Sequence, residues 1–353
     1  MARILIVGAG LVGAALAERL AGAGQEVIVV AEGPGPATEA SFGWINASTT
    51  RDPAYFALRA AGMAAWARRA QDLGAAAPRW CGALSLDVPG DAAPLLALGY
   101  EVARLEEAEV AAREPALFPR GPALCFATEG YLETGPAARA LLDRAVARGA
   151  KVLLGQRVLS VLAGDGAAVG VETEAGLLLA DHTVLAAGTG APDLLAPLGL
   201  RLPLRPRPGD LLVTAPAPAM LRHVLVTPER EIRQDASGRF LVPSSPPAAP
   251  EGRITGLARA FDMDEIAGAS LAVLRKHLPV KDLGYERILR AARPVPRDGF
   301  PVIGATGIAG LSLSVMHSGA TLAAVAAELL ADELTTGTGH DLLAPYRLAR
   351  FQA

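Results

Sequence analysis

The beginning of the chain alternates short apolar runs with glycines. Residues 4–7 are continuously apolar, and so are residues 27–30, which Glu32 closes; runs of this length predict buried strands. Between them, residues 11–23 are rich in alanine and leucine, a composition that favours a helix. The chain is therefore predicted to open with a strand–helix–strand unit.

Similar patterns return in the middle and at the end of the chain. Two segments between them, 80–133 and 201–260, show short strand-like runs among many prolines, which indicates β-rich insertions. Helices are predicted over 54–73, 134–148 (N-cap Thr134), 262–277 and 319–334 (N-cap Ser318 or Thr321), strands over 151–154, 158–162, 183–187 and 311–315, and a β-hairpin over 169–179.

The turn after the first predicted strand reads Gly-Ala-Gly-Leu-Val-Gly over residues 8–13, a pattern typical of dinucleotide-binding proteins. Gly8 permits the tight turn, Gly10 lets a pyrophosphate approach the backbone, and Gly13 allows close helix–strand packing. The helix N-terminus offers free N–H groups to phosphates, and Glu32 is placed to accept hydrogen bonds from an adenosine ribose. Both FAD and NAD fit this unit, whereas the Glu32 carboxylate would repel the 2′-phosphate of NADP.

Charge and cysteine content argue against other classes of function. The net charge of −3 and the pI near 6.0 give no basic surface for nucleic acid. Two cysteines, Cys81 and Cys125, are too few for a disulfide scaffold, and the five histidines do not stand at metal-ligand spacing. No apolar run reaches the roughly 20 residues of a membrane span, and glycines interrupt the first apolar region, against a signal peptide. We therefore expect a cytoplasmic protein without a metal site.

Further stretches of small and polar residues suggest contacts with a cofactor. Residues 41–48 (Ser-Phe-Gly-Trp-Ile-Asn-Ala-Ser) would bring backbone N–H groups close to a pyrophosphate or a flavin edge, although an ordinary loop has the same pattern. Residues 183–190 are predicted to form a strand that ends in small residues. Such an end would let the backbone pass close to a dinucleotide, although this pattern is more often an ordinary strand end. Residues 316–321 open the last predicted helix, whose N-terminus would place positive partial charge beside a reduced flavin. This pattern alone favours His317 as a polar loop residue.

Together these stretches resemble the FAD-dependent D-amino-acid oxidase-like family, which includes glycine oxidase, sarcosine oxidase, and proline and D-amino-acid dehydrogenases. The resemblance spans essentially the whole chain. Residues 41–46 are similar to the family's second flavin contact, residues 129–131 to its Gly-Tyr entry to a second FAD-side helix, and residues 186–188 to its Ala-Ala-Gly turn. The most specific match is the pair Arg-Pro…Asp-Gly-x-Pro-x-Ile-Gly (293–304) and His-Ser-Gly-x-Thr-Leu-Ala (317–323).

The resemblance implies roles for individual residues. Arg293 corresponds to the arginine that binds the substrate's carboxylate, with a surface arginine paired to Asp298 as the alternative, and His317 is placed at the catalytic site with it. FAD is expected to be bound without a covalent link, because residues 312–316 contain no cysteine. Contacts with FAD are implied for Gly8, Gly10, Leu11, Val12, Gly13, Glu32, Ser41, Gly43, Trp44, Val158 (at the adenine), Ala187, Gly188, and, at the isoalloxazine, Gly304, Ser318, Gly319, Ala320 and Thr321.

The predicted architecture is α/β with a second α+β domain. A Rossmann-like FAD-binding domain would be assembled from residues 1–79, 134–204 and 286–353, and a substrate domain with a mixed or antiparallel sheet from residues 80–133 and 205–285. With 353 residues and 51% hydrophobic content, the chain is large enough for two such cores.

The resemblance also implies an activity: oxidation of the C–N bond of a small amino acid or amine, with hydride passing to flavin N5 and the resulting imine hydrolysing. Residues 230–234 lack the tyrosine that many members place over the substrate, which leaves the substrate open. The alternatives are oxidation of a 2-hydroxy acid or polyol phosphate on the same scaffold, an NAD-dependent dehydrogenase, and a non-catalytic flavin-binding subunit. The electron acceptor (oxygen, quinone or carrier protein) does not follow from the residues.

Overall fold

A computed structural model describes residues 1–86, 92–205, 207–244 and 263–352. Strands and helices are numbered along the chain. The strands are β1 (Arg3–Ala9), β2 (Glu26–Pro34), β3 (Trp44–Ile45), β4 (Ala83–Ser85), β5 (Ala103–Leu105), β6 (Ala123–Phe126), β7 (Gly130–Tyr131), β8 (Lys151–Leu154), β9 (Val158–Gly164), β10 (Ala167–Thr173), β11 (Gly176–Leu179), β12 (His182–Leu185), β13 (Arg207–Thr214), β14 (Val224–Val226), β15 (Glu231–Gln234), β16 (Phe240–Pro243), β17 (Tyr285–Arg293), β18 (Val302–Ala305) and β19 (Leu311–Val315). The α-helices are α1 (Leu11–Gly22), α2 (Pro36–Glu39), α3 (Pro53–Leu73), α4 (Ala93–Ala97), α5 (Glu107–Arg113), α6 (Thr134–Ala147), α7 (Ala191–Leu195), α8 (Met263–His277) and α9 (Gly319–Thr336).

The strand–helix–strand unit lies at the centre of a six-stranded sheet with the order β18-β19-β12-β1-β2-β8. Its strands are parallel apart from the antiparallel pair β18–β19. Because alternate residues of a strand point to opposite faces, Ile4 and Ile6 of β1 pack against α1, α3, α6 and α9, whereas Leu5 and Val7 pack against α7 and the three-stranded sheet β11-β10-β9. Both faces of the parallel sheet are covered, which is the predicted Rossmann-like arrangement.

A second sheet has eight strands in the order β17-β13-β16-β15-β14-β4-β6-β5. Its pairs are antiparallel except for the parallel pair β14–β4, so the sheet is mixed, as predicted. Leu212 and Ile232 point to one face, which α8 covers. Leu211 and Leu241 point to the other face and pack with Phe42. This inner face meets the cavity described below.

The sequence periodicity located most of these elements. The helices predicted over 54–73 and 319–334 are found as α3 and α9, and the predicted hairpin is the pair β10–β11. Asp52 caps α3, because its carboxylate accepts a hydrogen bond from Tyr55 N at 2.7 Å. Asp262, where the next helix was predicted to begin, lies outside the described residues.

The structure corrects three details. The prediction that Thr134 is the N-cap of α6 was wrong, because Glu133 occupies that position. Thr134 Oγ1 donates instead to the backbone O of Thr38 at 2.6 Å. Residues 80–133 contain the short helices α4 and α5 besides strands. Strand β17 pairs with β13 up to Arg293, so the sheet favours a domain boundary after this residue rather than at 285. The division into two domains itself stays a prediction.

Within the described ranges, no helix is long and apolar enough to cross a membrane. No group of three or more histidine, cysteine, aspartate or glutamate side chains in them is arranged to hold a metal ion.

A buried carboxylate cross-links the helices on one face of the parallel sheet. Glu18 of α1 is 3% exposed and pairs with Arg69 of α3, with Arg144 of α6 and with Arg148, which follows α6. Arg69 is itself buried. Because a buried charge that loses its partner is strongly destabilising, these helices depend on the Glu18 carboxylate for their packing.

We expect Glu18→Gln to lower the free energy of unfolding by about 3 kcal/mol, because the guanidinium of Arg69 would stay buried without its counter-charge. Glu26→Gln is the matched control: it removes a partner of Arg3 on the surface and should leave the denaturation midpoint nearly unchanged. Urea-denaturation curves of the two variants measure the difference. A Glu18→Gln curve that overlays the wild-type curve would contradict a stabilising role for the cluster.

Candidate cofactor and substrate site

A cavity of about 1120 Å³ lies between the carboxyl edge of the six-stranded sheet and the inner face of the eight-stranded sheet. In open α/β sheets, ligands bind at this edge. The cavity brings together most of the residues that the sequence predicted for the site. Those that line it are Gly8, Gly10, Leu11, Val12, Glu32, Ser41, Gly43, Trp44, Val158, Ala187, Gly188, Arg293, His317, Ser318, Gly319, Ala320 and Thr321.

Close backbone approaches shape the turn after β1. Gly8 has φ +117°, a conformation that side-chain-bearing residues rarely adopt, and a Cβ atom there would collide with the backbone O of Ala186. Gly13 does not line the cavity; a Cβ atom there would collide with the backbone O of Gly8, which fits its predicted role in helix packing. Gly10 is the N-cap of α1 and has no side chain to cap the N–H groups of the first turn, which lies in the cavity wall.

Thr38, which sequence reasoning missed, closes the same turn. Its Oγ1 accepts a hydrogen bond from Leu11 N at 3.0 Å. A Cβ atom on Gly10 would lie 3.1 Å from this Oγ1, so a side chain at Gly10 would press on Thr38. No sequence pattern indicates this contact, because it follows only from the packing of α2 beside α1.

The residues predicted for the adenosine end lie together at the rim of the cavity. The side chain of Glu32 is 73% exposed, and its Oε1 lies 3.8 Å from Nε of Arg157. The backbone O of Glu32 accepts a hydrogen bond from Gly155 N at 3.1 Å, which ties the end of β2 to the loop before Val158. The carboxylate is therefore accessible to a ribose hydroxyl.

One buried carboxylate holds the second motif in place. Glu129 is fully buried, and its Oε2 accepts a hydrogen bond from Trp44 Nε1 at 2.9 Å. Its Oε1 accepts three more, from the backbone N of Ala47 (3.1 Å) and Ser48 (3.0 Å) and from the hydroxyl of Tyr100 (2.9 Å). Burial raises the pKa of Glu129, whereas the hydrogen bonds donated to its carboxylate lower it. Burial also raises the pKa of Tyr100, so its hydroxyl keeps its proton and remains a donor. Sequence reasoning had associated Glu129 only with a helix entry.

A buried arginine supports the N-terminus of α9. Arg59 is 4% exposed and donates to Asn46 through Nε to the backbone O (2.9 Å) and through Nη2 to Oδ1 (2.6 Å). Its Nη1 donates to Ser318 Oγ (2.9 Å) and Tyr55 Oη (3.3 Å). No acidic side chain in the described chain pairs with Arg59. Ser318 is the N-cap of α9 but caps no N–H group with its side chain, because its hydroxyl is used by Arg59 and Tyr55.

A second arginine joins the inner face of the eight-stranded sheet to the cofactor side. Arg233 is 1% exposed and forms two hydrogen bonds with Glu133, at 2.6 and 3.0 Å. Its Nε donates to the backbone O of Phe42 at 2.6 Å, and its guanidinium lies 4.3 Å from the ring centroid of Tyr131. This charge-paired group links β15 to Phe42 and Glu133 on the cofactor side.

Arg293 has no such partner. It ends β17, is half-buried and lines the cavity, and its guanidinium makes no hydrogen bond or ion pair within the described ranges. The alternative pairing with Asp298 does not occur, because Asp298 pairs with Arg350 at 2.7 Å. Burial lowers the pKa of Arg293, yet an arginine remains charged at neutral pH.

His317 lines the same part of the cavity. Its pKa is lowered to about 4 by burial and by the positive charges of Arg293, Arg59 and Arg207. The ring is exposed to the open cavity, so solvent there weakens the burial effect, while the three guanidiniums act in the same direction. His317 is therefore neutral at pH 7.

Gly304, predicted as an isoalloxazine contact, does not line the cavity. It lies on β18 with φ +112°, and a Cβ atom there would collide with the guanidinium of Arg347. Arg347 Nη1 donates to the backbone O of Ile303 at 3.2 Å. The glycine makes room for an arginine that fastens the C-terminal segment to the sheet.

Comparison with known proteins agrees with this geometry. A family model described as FAD dependent oxidoreductase, DAO, matches residues 3–333. The chain belongs to the DAO family of FAD-dependent oxidoreductases. A D-amino acid dehydrogenase of Cereibacter sphaeroides is 36% identical over 181 residues, 47% of this chain and 38% of its own length. An uncharacterized oxidoreductase of Halorhodospira halophila is 35% identical over 229 residues, 60% of this chain and 97% of its own length.

Solved structures share the fold over the whole chain. L-proline dehydrogenase from P. horikoshii has a TM-score of 0.87 at 20% identity and covers 99% of this chain and 97% of its own. Glycine oxidase from Bacillus cereus has a TM-score of 0.85 at 19% identity and covers 99% and 98%. The family depends on FAD, and the DAO cavity here fits it: N–H groups at α1 for a pyrophosphate, Glu32 for a ribose, and α9 with Arg59 for the flavin's negative end.

We expect Glu129→Gln to weaken FAD binding and to lower the free energy of unfolding by about 1–3 kcal/mol. The amide oxygen would accept the three hydrogen bonds now made to Oε1. The amide nitrogen would then face Trp44 Nε1, so that two donors would lie opposite each other without an acceptor. Glu101→Gln, at an exposed position, is the control and should match the wild type in both respects. Urea denaturation of the apoprotein and FAD titration followed by flavin fluorescence measure the two effects; unchanged values for Glu129→Gln would contradict its positioning role.

Proposed function

We propose that the protein oxidises the C–N bond of a small amino acid or amine to an imine, which water then hydrolyses. FAD, when bound in the cavity, supplies the acceptor for the hydride and its two electrons. The observation that carries the proposal is the guanidinium of Arg293, a cation without a protein partner in the described chain on the wall of the cavity. We also propose that FAD is held without a covalent link, since neither Cys81 nor Cys125 lines the cavity.

A planar guanidinium binds a carboxylate through two parallel hydrogen bonds, which orients as well as attracts the substrate. In this proposal Arg293 fixes the carboxylate and so sets the position of the α-carbon. Arg59 and the N-terminus of α9 stabilise negative charge that develops on the cofactor side. His317, held neutral, lies beside the reacting atoms as a hydrogen-bonding group and adds no charge of its own. The names of the relatives, D-amino acid dehydrogenase among them, support an amino acid as the substrate.

We expect Arg293→Lys and Arg293→Met each to lower kcat/KM by about 100-fold or more while FAD stays bound, since losing a buried charge-assisted pair costs a few kcal/mol. Lysine keeps the charge but removes the planar fork, so it tests the bidentate geometry itself. Arg297→Met, at an exposed position four residues along, is the matched control.

The measurement is anaerobic bleaching of the flavin against a panel of amino acids and amines. If both Arg293 variants react like the wild type, Arg293 does not bind the substrate, and a simple amine without a carboxylate becomes the better substrate. If nothing in the panel bleaches the wild-type flavin, the chain is better described as a non-catalytic flavin-binding subunit.

The lowered pKa of His317 predicts the pH dependence of the reaction. A histidine of ordinary pKa, 6.5, would gain a proton between about pH 7.5 and pH 5.5, whereas His317 stays neutral until the pH falls toward about 4. The rate of flavin reduction should therefore show no inflection near pH 6.5 that depends on this residue. His317→Asn should lower the rate without changing the shape of the profile over this range, and an inflection lost in the variant would show that His317 titrates normally.

A further inference from the structure

A second charge without a partner lies across the cavity from Arg293. Glu231, the first residue of β15, is half-buried and lines the same cavity. Its carboxylate makes no hydrogen bond or ion pair within the described part of the chain, and it forms no ion pair with Arg293. The two charges are nevertheless near enough to interact. Among the acidic side chains, Glu231 has a larger electrostatic effect on the Arg293 guanidinium than Asp210 has. Asp210 is already paired with Arg290, at 2.6 Å.

Gly209 of β13 and Pro243 of β16 line the cavity on the two strands between the charges. β13 and β16 separate β17 from β15, three strand spacings or about 14 Å of backbone. Gly209 of β13 is buried, and a Cβ atom there would lie 2.5 Å from Nε of Arg293, so the arginine crosses β13 over this glycine, in the direction of β15. In the antiparallel pairing of β15 with β16, Arg233 lies opposite Leu241. Extending this register by two residues places Glu231 opposite Pro243.

The cations next to Glu231 in the sequence form their hydrogen bonds elsewhere. Arg230 is near enough for its charge to act on the Glu231 carboxylate, but its Nη1 donates to the backbone O of Pro243 at 3.0 Å. Arg233, two residues on, is bound to Glu133 and Phe42. A cation and an anion, neither of which forms a hydrogen bond or ion pair in the described ranges, thus line the same cavity with Gly209 and Pro243 between them.

We propose that Glu231 binds the amino group of the substrate while Arg293 binds its carboxylate, so that the site selects amino acid zwitterions. This rests on the proposed function, whose substrate class it narrows. A partly buried carboxylate is costly when it has no partner, and a substrate ammonium group removes that cost. A 2-hydroxy acid would satisfy Arg293 but leave the charge of Glu231 uncompensated, and a phosphate would be repelled by it.

The test uses the FAD-loaded protein and ligands that lack a hydrogen on the α-carbon, so that binding is measured without turnover. Calorimetry compares 2-aminoisobutyrate with 2-hydroxyisobutyrate for the wild type, Glu231→Gln and Arg293→Lys. The matched control is Glu229→Gln, because Glu229 pairs instead with Lys276 and His277.

We expect the wild type and Glu229→Gln to bind the amino acid about 10- to 100-fold more tightly than the hydroxy acid. Glu231→Gln should lose this preference while keeping its affinity for the hydroxy acid, and Arg293→Lys should weaken both ligands. The proposal is overturned if the wild type shows no preference, if it does not bind the amino acid, or if Glu231→Gln keeps the preference. Selective binding in a protein whose flavin no amino acid bleaches would refute the proposed function and leave this inference standing.

Discussion

Guanidiniums that form no ion pair in the described ranges lie in the wall of the cavity, and the rest of the site is arranged around them. Arg59 and Arg293 place guanidiniums in its wall without acidic partners in the described ranges, and α1 and α9 direct their N-termini into the same space. Concentrating charge of one sign costs free energy in the empty site. That cost is offset when anions bind, and FAD with its pyrophosphate and an amino acid with its carboxylate both supply them. The same field keeps His317 neutral.

The buried charged side chains that support the site and the helices, in contrast, are bound to partners within the protein. Arg233 pairs with Glu133 and donates to the backbone of Phe42, and Glu18 pairs with arginines from neighbouring helices. Glu129 uses both oxygens to fasten Trp44 and the backbone after it. Buried groups with all their hydrogen bonds made are rigid, which is what a site requires of its support.

The parts of the fold that the sequence predicted are those whose cause is local. The turn at Gly8 and Gly13 follows from backbone conformation and close packing, and α3 and α9 follow from apolar periodicity. Arg59 gave no such signal, because an arginine in a helix pattern is usually on the solvent side and only tertiary packing turns it inward. The contact of Gly304 with Arg347 gave no signal for a related reason: a family likeness gives a position along the chain but not the direction in which a missing side chain would point.

Gly209 shows most clearly why the rest could not be predicted. In a segment rich in prolines a glycine indicates a turn, yet Gly209 lies within β13, where a glycine weakens the strand by about 0.5–1 kcal/mol relative to alanine. Neither a turn nor a positive φ accounts for it, since Gly209 pairs in register with Ala291 of β17. What accounts for it is the path of Arg293, whose guanidinium needs the volume that any side chain would fill. Gly209 thus makes β13 less stable but leaves room for the Arg293 side chain to reach into the cavity. Only the positions of β13 and β17 relative to each other show this.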